Sequence, residues 1–145
     1  MWHLKAFNEL STKELYAILK ERTNVFVVEQ NCPYLEVDGK DELSYHLFKE
    51  KNGDIAAYLR ILPPGVSYEE SSLGRVLVKK EYRGQGLAYE LVQKGIDFIH
   101  AELQQQSIKI QAQDYLREFY GSFGFEAISE VYLEDDIPHV DMIMK

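Results

Sequence analysis

The passage from Leu73 to Gln113 constrains this chain more than any other. Leu73–Lys79 is a strand pattern rich in Val and Leu, and Arg83–Ala88 is a turn with two glycines. Leu87–Leu103 carries apolar residues at helical spacing, and Ile108–Gln113 is a second strand pattern. A strand, a helix and a strand in that order form a parallel pair joined by a right-handed crossover, because a right-twisted strand feeding a right-handed helix packs back onto its sheet only that way. Upstream, strand patterns at Ser44–Lys49 and Asp54–Leu62 are joined around Asn52-Gly53, whose residues tolerate positive φ and favour a tight antiparallel hairpin. The sheet is therefore expected to be mixed.

The remaining segments complete the order. Trp2–Phe7 alternates as a short strand. Ser11-Thr12-Lys13-Glu14 is a capping box, and Leu15, Ile18, Leu19 and Arg22 follow at helical spacing, which predicts a helix from about Thr12 to Arg22. Asn24–Gln30 is apolar and reads as a second helical segment or a continuation, interrupted at Cys32-Pro33, and Tyr34–Glu42 reads as an acidic loop. Asp114 is placed to cap a short helix through Phe119 and Tyr120, which Gly121–Gly124 closes. Glu126–Leu133 and Val140–Met144 read as strands around the acidic turn Glu134-Asp135-Asp136. The expectation is one α/β domain over residues 1–145, with about seven strands in a mixed central sheet flanked by about four helices.

A domain of this length buries roughly 68–70% of its unfolded surface and needs no disulfide or metal staple. Cys32 is the single cysteine, no apolar run approaches the roughly 20 residues that span a bilayer, and Met1–Lys5 has no apolar signal core. Together these predict a soluble cytoplasmic protein with no membrane role. A net charge of −8, from 16 basic and 24 acidic residues, argues against a nucleic-acid partner. The four histidines have no ligand spacing, so no metal is expected. Within this acidic chain, Gly74–Ala88 holds four basic residues (Arg75, Lys79, Lys80 and Arg83) against one acid, Glu81. That excess suits an anionic ligand, although a solvated loop would look the same.

Arg83-Gly84-Gln85-Gly86-Leu87-Ala88 gives such a ligand a place. Glycine lets a phosphate approach the backbone, and the amides of Gln85, Gly86, Leu87 and Ala88 open a helix whose dipole lies behind them. Arg83 adds charge. Two other phosphate motifs fail: no Gly-x-x-x-x-Gly-Lys-Ser/Thr run exists, and the third glycine of the dinucleotide fingerprint would fall on Tyr89.

Arg83, Gly86 and Ala88 match the Arg/Gln-x-x-Gly-x-Gly/Ala signature of the GNAT superfamily of acetyltransferases, which the chain resembles over essentially its whole length. In that resemblance Gly74-Arg75-Val76-Leu77-Val78 is the fourth strand, whose backbone pairs with the pantetheine arm of acetyl-CoA. Gln113–Tyr120 with Gly124-Phe125 resembles the second cofactor motif, Gln113 standing where many members have Asn. Val25–Tyr34, Glu36–Asp41, His46-Leu47, Gly74-Arg75-Val76 and Ile137-Pro138-His139 resemble the ElaA-like branch. The resemblance implies an acetyl-CoA-dependent N-acetyltransferase that moves the acetyl group to a primary amine by direct transfer in a ternary complex. The alternative is a catalytically silent acyl-CoA sensor on the same fold, and self-association as a homodimer is left open. Coenzyme contacts are expected from Val76, Leu77, Val78, Arg83, Gly84, Gln85, Gly86, Leu87, Ala88, Gln113 and Tyr120.

Direct transfer to an amine calls for a base and an acid, because a lysine-like amine has a pKa of about 10.4 and a thiol about 8.5. Tyr120 matches the family's acid, a tyrosine near the coenzyme sulfur; packing beside Phe119 and Phe123 is its other reading. The base, or an acceptor contact, is sought among Glu36, Asp41 and His46, with Glu29 and Asp38 nearby. His46 alternates with Tyr45 and Leu47 on a strand and is either a satisfied core imidazole or a base near neutral pH. His139 reads as a loop or acceptor-site residue. Cys32 with His46 would permit an acyl-thiol route, although a lone cysteine before a proline in an apolar segment is more often a small buried hydrophobe. Glu36, Asp38, Asp41 and Glu42 form one acidic border for a cationic amine, and Glu134–Asp136 form another.

Overall fold

In the computed structural model, which covers residues 1–145, the Ser11 hydroxyl accepts from the Glu14 amide at 3.0 Å and the Glu14 carboxylate accepts from the Ser11 amide at 2.8 Å. This capping box starts α1 (Thr12–Thr23), which follows β1 (Trp2–Ala6). The helix does not stop at Arg22. It widens into a π-helical turn, Asn24–Glu29, which brings Val25, Phe26 and Glu29 to the wall of the cleft described below. β2 (Tyr45–Lys51) and β3 (Asp54–Leu62) form the expected hairpin, with Asn52 and Gly53 at φ 51° and 79°, the pair of positive values that a type I′ turn requires. β4 (Ser72–Val78) completes an antiparallel sheet in the order β1-β2-β3-β4.

The crossover runs from β4 through α2 (Leu87–Ala101) to β5 (Ile108–Gln113), as expected, but it does not produce one continuous central sheet. β5 pairs with β8 (Ile137–Met144) instead of running along β4. The two halves are linked by a parallel bridge between Ser71 and Ile108, where the Lys109 amide donates to the Ser71 carbonyl at 2.9 Å. From that bridge two four-stranded sheets diverge. The second also holds β6 (Glu126–Ala127) and β7 (Tyr132–Glu134), each paired with β8.

The expected strand Glu126–Leu133 is split because five steps from Ala127 to Tyr132 face three steps from Met142 to His139. Ser129 Oγ accepts from the Asp141 amide at 2.9 Å in that gap. There are three α-helices, the last being the single turn α3 (Arg117–Gly121), entered through a 3₁₀ turn at Asp114–Leu116. Asp114 does not cap α3; its carboxylate accepts from Arg117 at 2.9 Å.

α2 holds the diverging sheets together. Its Leu91, Val92, Ile96 and Ile99 meet Leu59, Ile61 and Leu73 of the first sheet and Ile108, Ile110, Val140 and Met142 of the second in one cluster. Each such burial is worth roughly 1.5–3 kcal/mol. Gly95 lets the helix sit close, since a Cβ there would lie 3.1 Å from Leu73 Cδ2 and 3.2 Å from Leu59 Cδ2. On the other face of the first sheet, Ile18 of α1 packs on Phe48, Ile55, Tyr58 and Leu77. β4 carries a bulge: Tyr58 pairs with Leu77 and Arg60 with Gly74, and Arg75 takes φ 52°. A bulge bends and over-twists its strand, which helps β4 turn away from β5. No helix is long and apolar enough to cross a membrane.

Candidate active site

The gap between β4 and β5 opens into a cleft of about 730 Å³. One side is the edge of β4 from Ser72 to Val78, and the other is β5 with the start of α3, including Ile110, Gln113, Phe119 and Tyr120. Past the Ser71 bridge β4 has no partner on this edge, so its backbone faces the cleft. Val76, Leu77 and Val78, expected along an extended ligand, all line it. Gln113 lines it too and donates across the cleft to Gln30 Oε1 at 3.3 Å.

One end of the cleft is the glycine turn. Gly84 and Gly86 adopt φ 81° and 79°, and Gly86 is the N-cap of α2. The first intrahelical bond runs from the Glu90 amide to the Gly86 carbonyl at 3.2 Å, which leaves the amides of Leu87, Ala88 and Tyr89 as unpaired donors at the positive end of a fifteen-residue helix. Arg83, Gly84, Gly86, Leu87 and Ala88 line the cleft here. The Gln85 side chain is directed elsewhere, its Oε1 accepting from Lys51 at 3.5 Å, so only its backbone belongs to the turn.

The local cationic excess is smaller than the sequence suggests. Lys79 is shared among Glu21, Asp54 and Glu81 at 3.3–3.5 Å, and Arg75 belongs to a buried network. Arg83 reaches across to Glu29 at 3.0 Å, and its Nε donates to the Val78 carbonyl at 2.8 Å. A pyrophosphate in the turn would meet Arg83 at that pair. These features fit the diphosphate and extended arm of a coenzyme A.

Tyr120 stands in the wall beyond β5, held edge-on by Phe119 at 5.2 Å and Phe125 at 6.0 Å. The residue is 6% exposed, and its hydroxyl has no protein hydrogen-bond partner. Burial, reinforced by Tyr115, pushes its phenol above the ordinary tyrosine range, so the group keeps its proton at neutral pH.

Glu36, Asp41 and His46, expected as base or acceptor residues, lie off the cleft wall in a buried network. Arg22, fully buried, donates to Glu36 and to Asp41, both at 2.7 Å. Arg60 donates to Asp38 at 2.8 Å and to Asp41 at 3.1 Å, while Arg75 donates to Glu36 at 2.7 Å. Tyr34 adds a hydroxyl to Glu36 at 2.5 Å. Burial pushes the Asp38 carboxyl upward, but the Arg60 hydrogen bonds, the Lys40 amide and the charges of Arg60 and Arg75 hold it well below the usual carboxylate range.

His46 follows the core reading. Its Nε2–H donates to the Asp41 carbonyl at 3.0 Å, so Nδ1 accepts from the Tyr58 hydroxyl at 2.7 Å, and burial pushes its pKa below the ordinary value. With both nitrogens committed and no exposed surface, it is placed to orient Tyr58 and the Asp41 backbone, not to take a substrate proton. Sequence reasoning missed Arg22 and Arg60, although each is a charge on an otherwise apolar face.

Cys32 is buried, its thiol donates to the Asp135 carbonyl at 3.2 Å, and burial with Asp135 and Asp136 pushes its pKa up. Its expected partner His46 is tied elsewhere, so the acyl-thiol route has no base. One of the two acidic borders is internally neutralised by the three arginines. Glu134 and Asp135 remain on the cleft wall with His139, and no group of three or more His, Cys, Asp or Glu side chains could hold a metal ion.

The fold and the cleft define an acyl-CoA-dependent acyltransferase scaffold. The family model of the acetyltransferase (GNAT) domain matches residues 18–145, and the chain belongs to that family. It is 40% identical over 143 residues to the protein ElaA of Escherichia coli K12, a match covering 97% of this chain and 94% of ElaA. It is 39% identical over 145 residues to a UPF0039 protein of Synechocystis, covering 99% and 94%. Among solved structures, it is similar to an acyl-CoA N-acyltransferase from Pseudomonas aeruginosa, with a TM-score of 0.96 and 42% identity over 100% of this chain and 99% of that one. The crystal structure of Escherichia coli ElaA gives a TM-score of 0.92 at 38% identity, again over 100% and 99%.

Proposed function

We propose that this cleft transfers the acetyl group of acetyl-CoA directly to a primary amine. One observation carries the reading: along a single cleft lie, in turn, unpaired helix-start amides, the unpaired edge of β4, and a tyrosine hydroxyl with no protein partner. The amides of Leu87 and Ala88, with Arg83, hold the diphosphate. The edge of β4 receives the amides of the pantetheine arm as an added strand would be received. Tyr120 gives its proton to the departing thiolate, and its raised pKa keeps it loaded until that thiolate forms. Glu134 and Asp135 supply the negative charge that attracts an ammonium. A cytoplasmic setting is part of this reading and rests on the unpaired Cys32.

The test is coenzyme A release from acetyl-CoA over a panel of primary amines, with wild type and Tyr120→Phe. The substitution keeps the ring, and its hydroxyl has no partner to lose, so stability should change by about 1 kcal/mol or less. kcat should fall roughly 10–10³-fold with coenzyme affinity unchanged. Coenzyme binding without turnover of any amine would make the protein a sensor. An unchanged kcat with chemistry rate-limiting would return Tyr120 to the core.

A further inference from the structure

Proton removal from the incoming amine is the step still without a residue. Most basic groups on the cleft wall are already engaged: Glu29 holds Arg83 at 3.0 Å, Asp38 holds Arg60 at 2.8 Å, and Tyr34 donates to Glu36. The carboxylates of Glu134 and Asp135 are exposed on the hairpin turn, where φ is 52° at Asp135. His139 differs from all of these. It is half-buried on β8 in register with Gln113, and both line the cleft.

The ring of His139 is fixed from two sides. A ring nitrogen, Nδ1, lies 2.7 Å from the Ile137 carbonyl. A carbonyl oxygen only accepts, so Nδ1 carries the hydrogen and Nε2 keeps its lone pair, with no protein group bound to it. On the other side Tyr132, the cross-strand partner of His139, stacks on the imidazole at 6.3 Å between centroids and 25° between planes. The Tyr132 hydroxyl is tied to Asp141, which stops the aromatic plate from turning. The result is an oriented imidazole on the cleft wall with one uncommitted basic nitrogen.

We propose that His139 Nε2 is the proton acceptor for the amine, an assignment that rests on the acetyl-transfer reading above. The ammonium of the acceptor gives one proton to Nε2. The freed nitrogen lone pair attacks the thioester carbonyl carbon, a C–N bond forms and the C–S bond breaks. The sulfur leaves with the bonding pair and takes the Tyr120 proton. The second proton lost by the nitrogen restores Tyr120, and His139 passes the first to water. One ammonium and one thioester become one amide, one thiol and one released proton. The hydrogen bond from Nδ1 to the Ile137 carbonyl holds the ring in place while Nε2 takes up and releases the proton.

The experiment compares wild type with His139→Gln and His139→Gly on two acceptors, a lysine-like primary amine and an alkoxyamine whose nitrogen is unprotonated at assay pH. With the lysine-like amine, kcat/KM is expected to fall about 10²–10⁴-fold in both variants. With the alkoxyamine the fall should be at least ten times smaller, because no proton has to be removed before attack. Added imidazole should restore part of the lost rate in His139→Gly above the enzyme-free rate, with acetyl-CoA affinity by calorimetry within about twofold of wild type. Equal losses on both acceptors without rescue would make His139 a structural residue, and wild-type rates in His139→Gln would exclude it from the reaction. A wild type that turns over neither these acceptors nor any amine of the panel would remove the acetyl-transfer reading, and this assignment with it.

Discussion

Three guanidiniums and three carboxylates meet under α1, and because their charges cancel, the segment between Glu36 and Asp41 is built for rigidity more than for attracting a cation. Removing one partner of such a group leaves an uncompensated buried charge, typically about 3–5 kcal/mol. Asp38 should report the network through pH. Its folded pKa lies below the unfolded value of about 3.9, so the folded state holds fewer protons than the unfolded one in that range. The stability it contributes is therefore full above about pH 4 and is lost as pH falls toward the depressed folded value. Urea midpoints of wild type and Asp38→Asn should differ at about pH 6 and converge on acidification below about pH 4, and a gap that stays constant would remove Asp38 from the acid limb. The arginine half of this network left a signal in the sequence that the pattern reading did not use. Arg22 falls on the apolar stripe of α1, and Arg60 interrupts the apolar run Ile55–Leu62, so each needed a buried partner. The partners lie 14 to 22 residues away in sequence, and a loop's charges do not announce which of them fold inward.

The elements read most accurately were those decided by local chemistry. The Ser11 capping box, the Asn52-Gly53 hairpin and the turn before α2 each depend on a few adjacent residues. The π-helical turn after α1 and the split of β6 from β7 depend on the Cys32 amide returning to the Val27 carbonyl at 3.0 Å and on pairing with β8, which no short window contains. For the α2 turn, no atom of another part of the chain lies within 4 Å of where a Gly86 Cβ would be, so glycine is needed there for φ and for what approaches from the cleft. Gly86→Asn tests φ, since Asn tolerates the left-handed region. Gly86→Glu adds bulk and negative charge beside the phosphate cradle. Calorimetry should show acetyl-CoA binding weakened in the first, whose side chain intrudes on the cradle without charge, and lost in the second, both remaining folded with a cost of about 1–2 kcal/mol. Unchanged affinity in Gly86→Glu would overturn the placement of the diphosphate.

At the scale of the whole molecule, two sheets share one apolar core on α2 and a bridge at Ser71, and the cleft exists because they part beyond it. A strand–helix–strand pattern predicted the crossover correctly but not the parting, since it fixes handedness and says nothing of how long two strands stay together. The parting has a colloidal consequence. From Leu73 to Leu77, β4 offers a largely apolar strand with backbone donors and acceptors unclaimed by any neighbouring strand, the template on which misassembly between copies begins. A bound coenzyme arm would mask that row as a neighbouring strand would, so scarcity of coenzyme should make the protein sticky before it makes it unfold. On slow heating, saturating acetyl-CoA should raise the onset of light scattering by more degrees than it raises the unfolding midpoint seen by circular dichroism. Equal shifts would mean that aggregation starts from the unfolded chain and that the open edge is harmless.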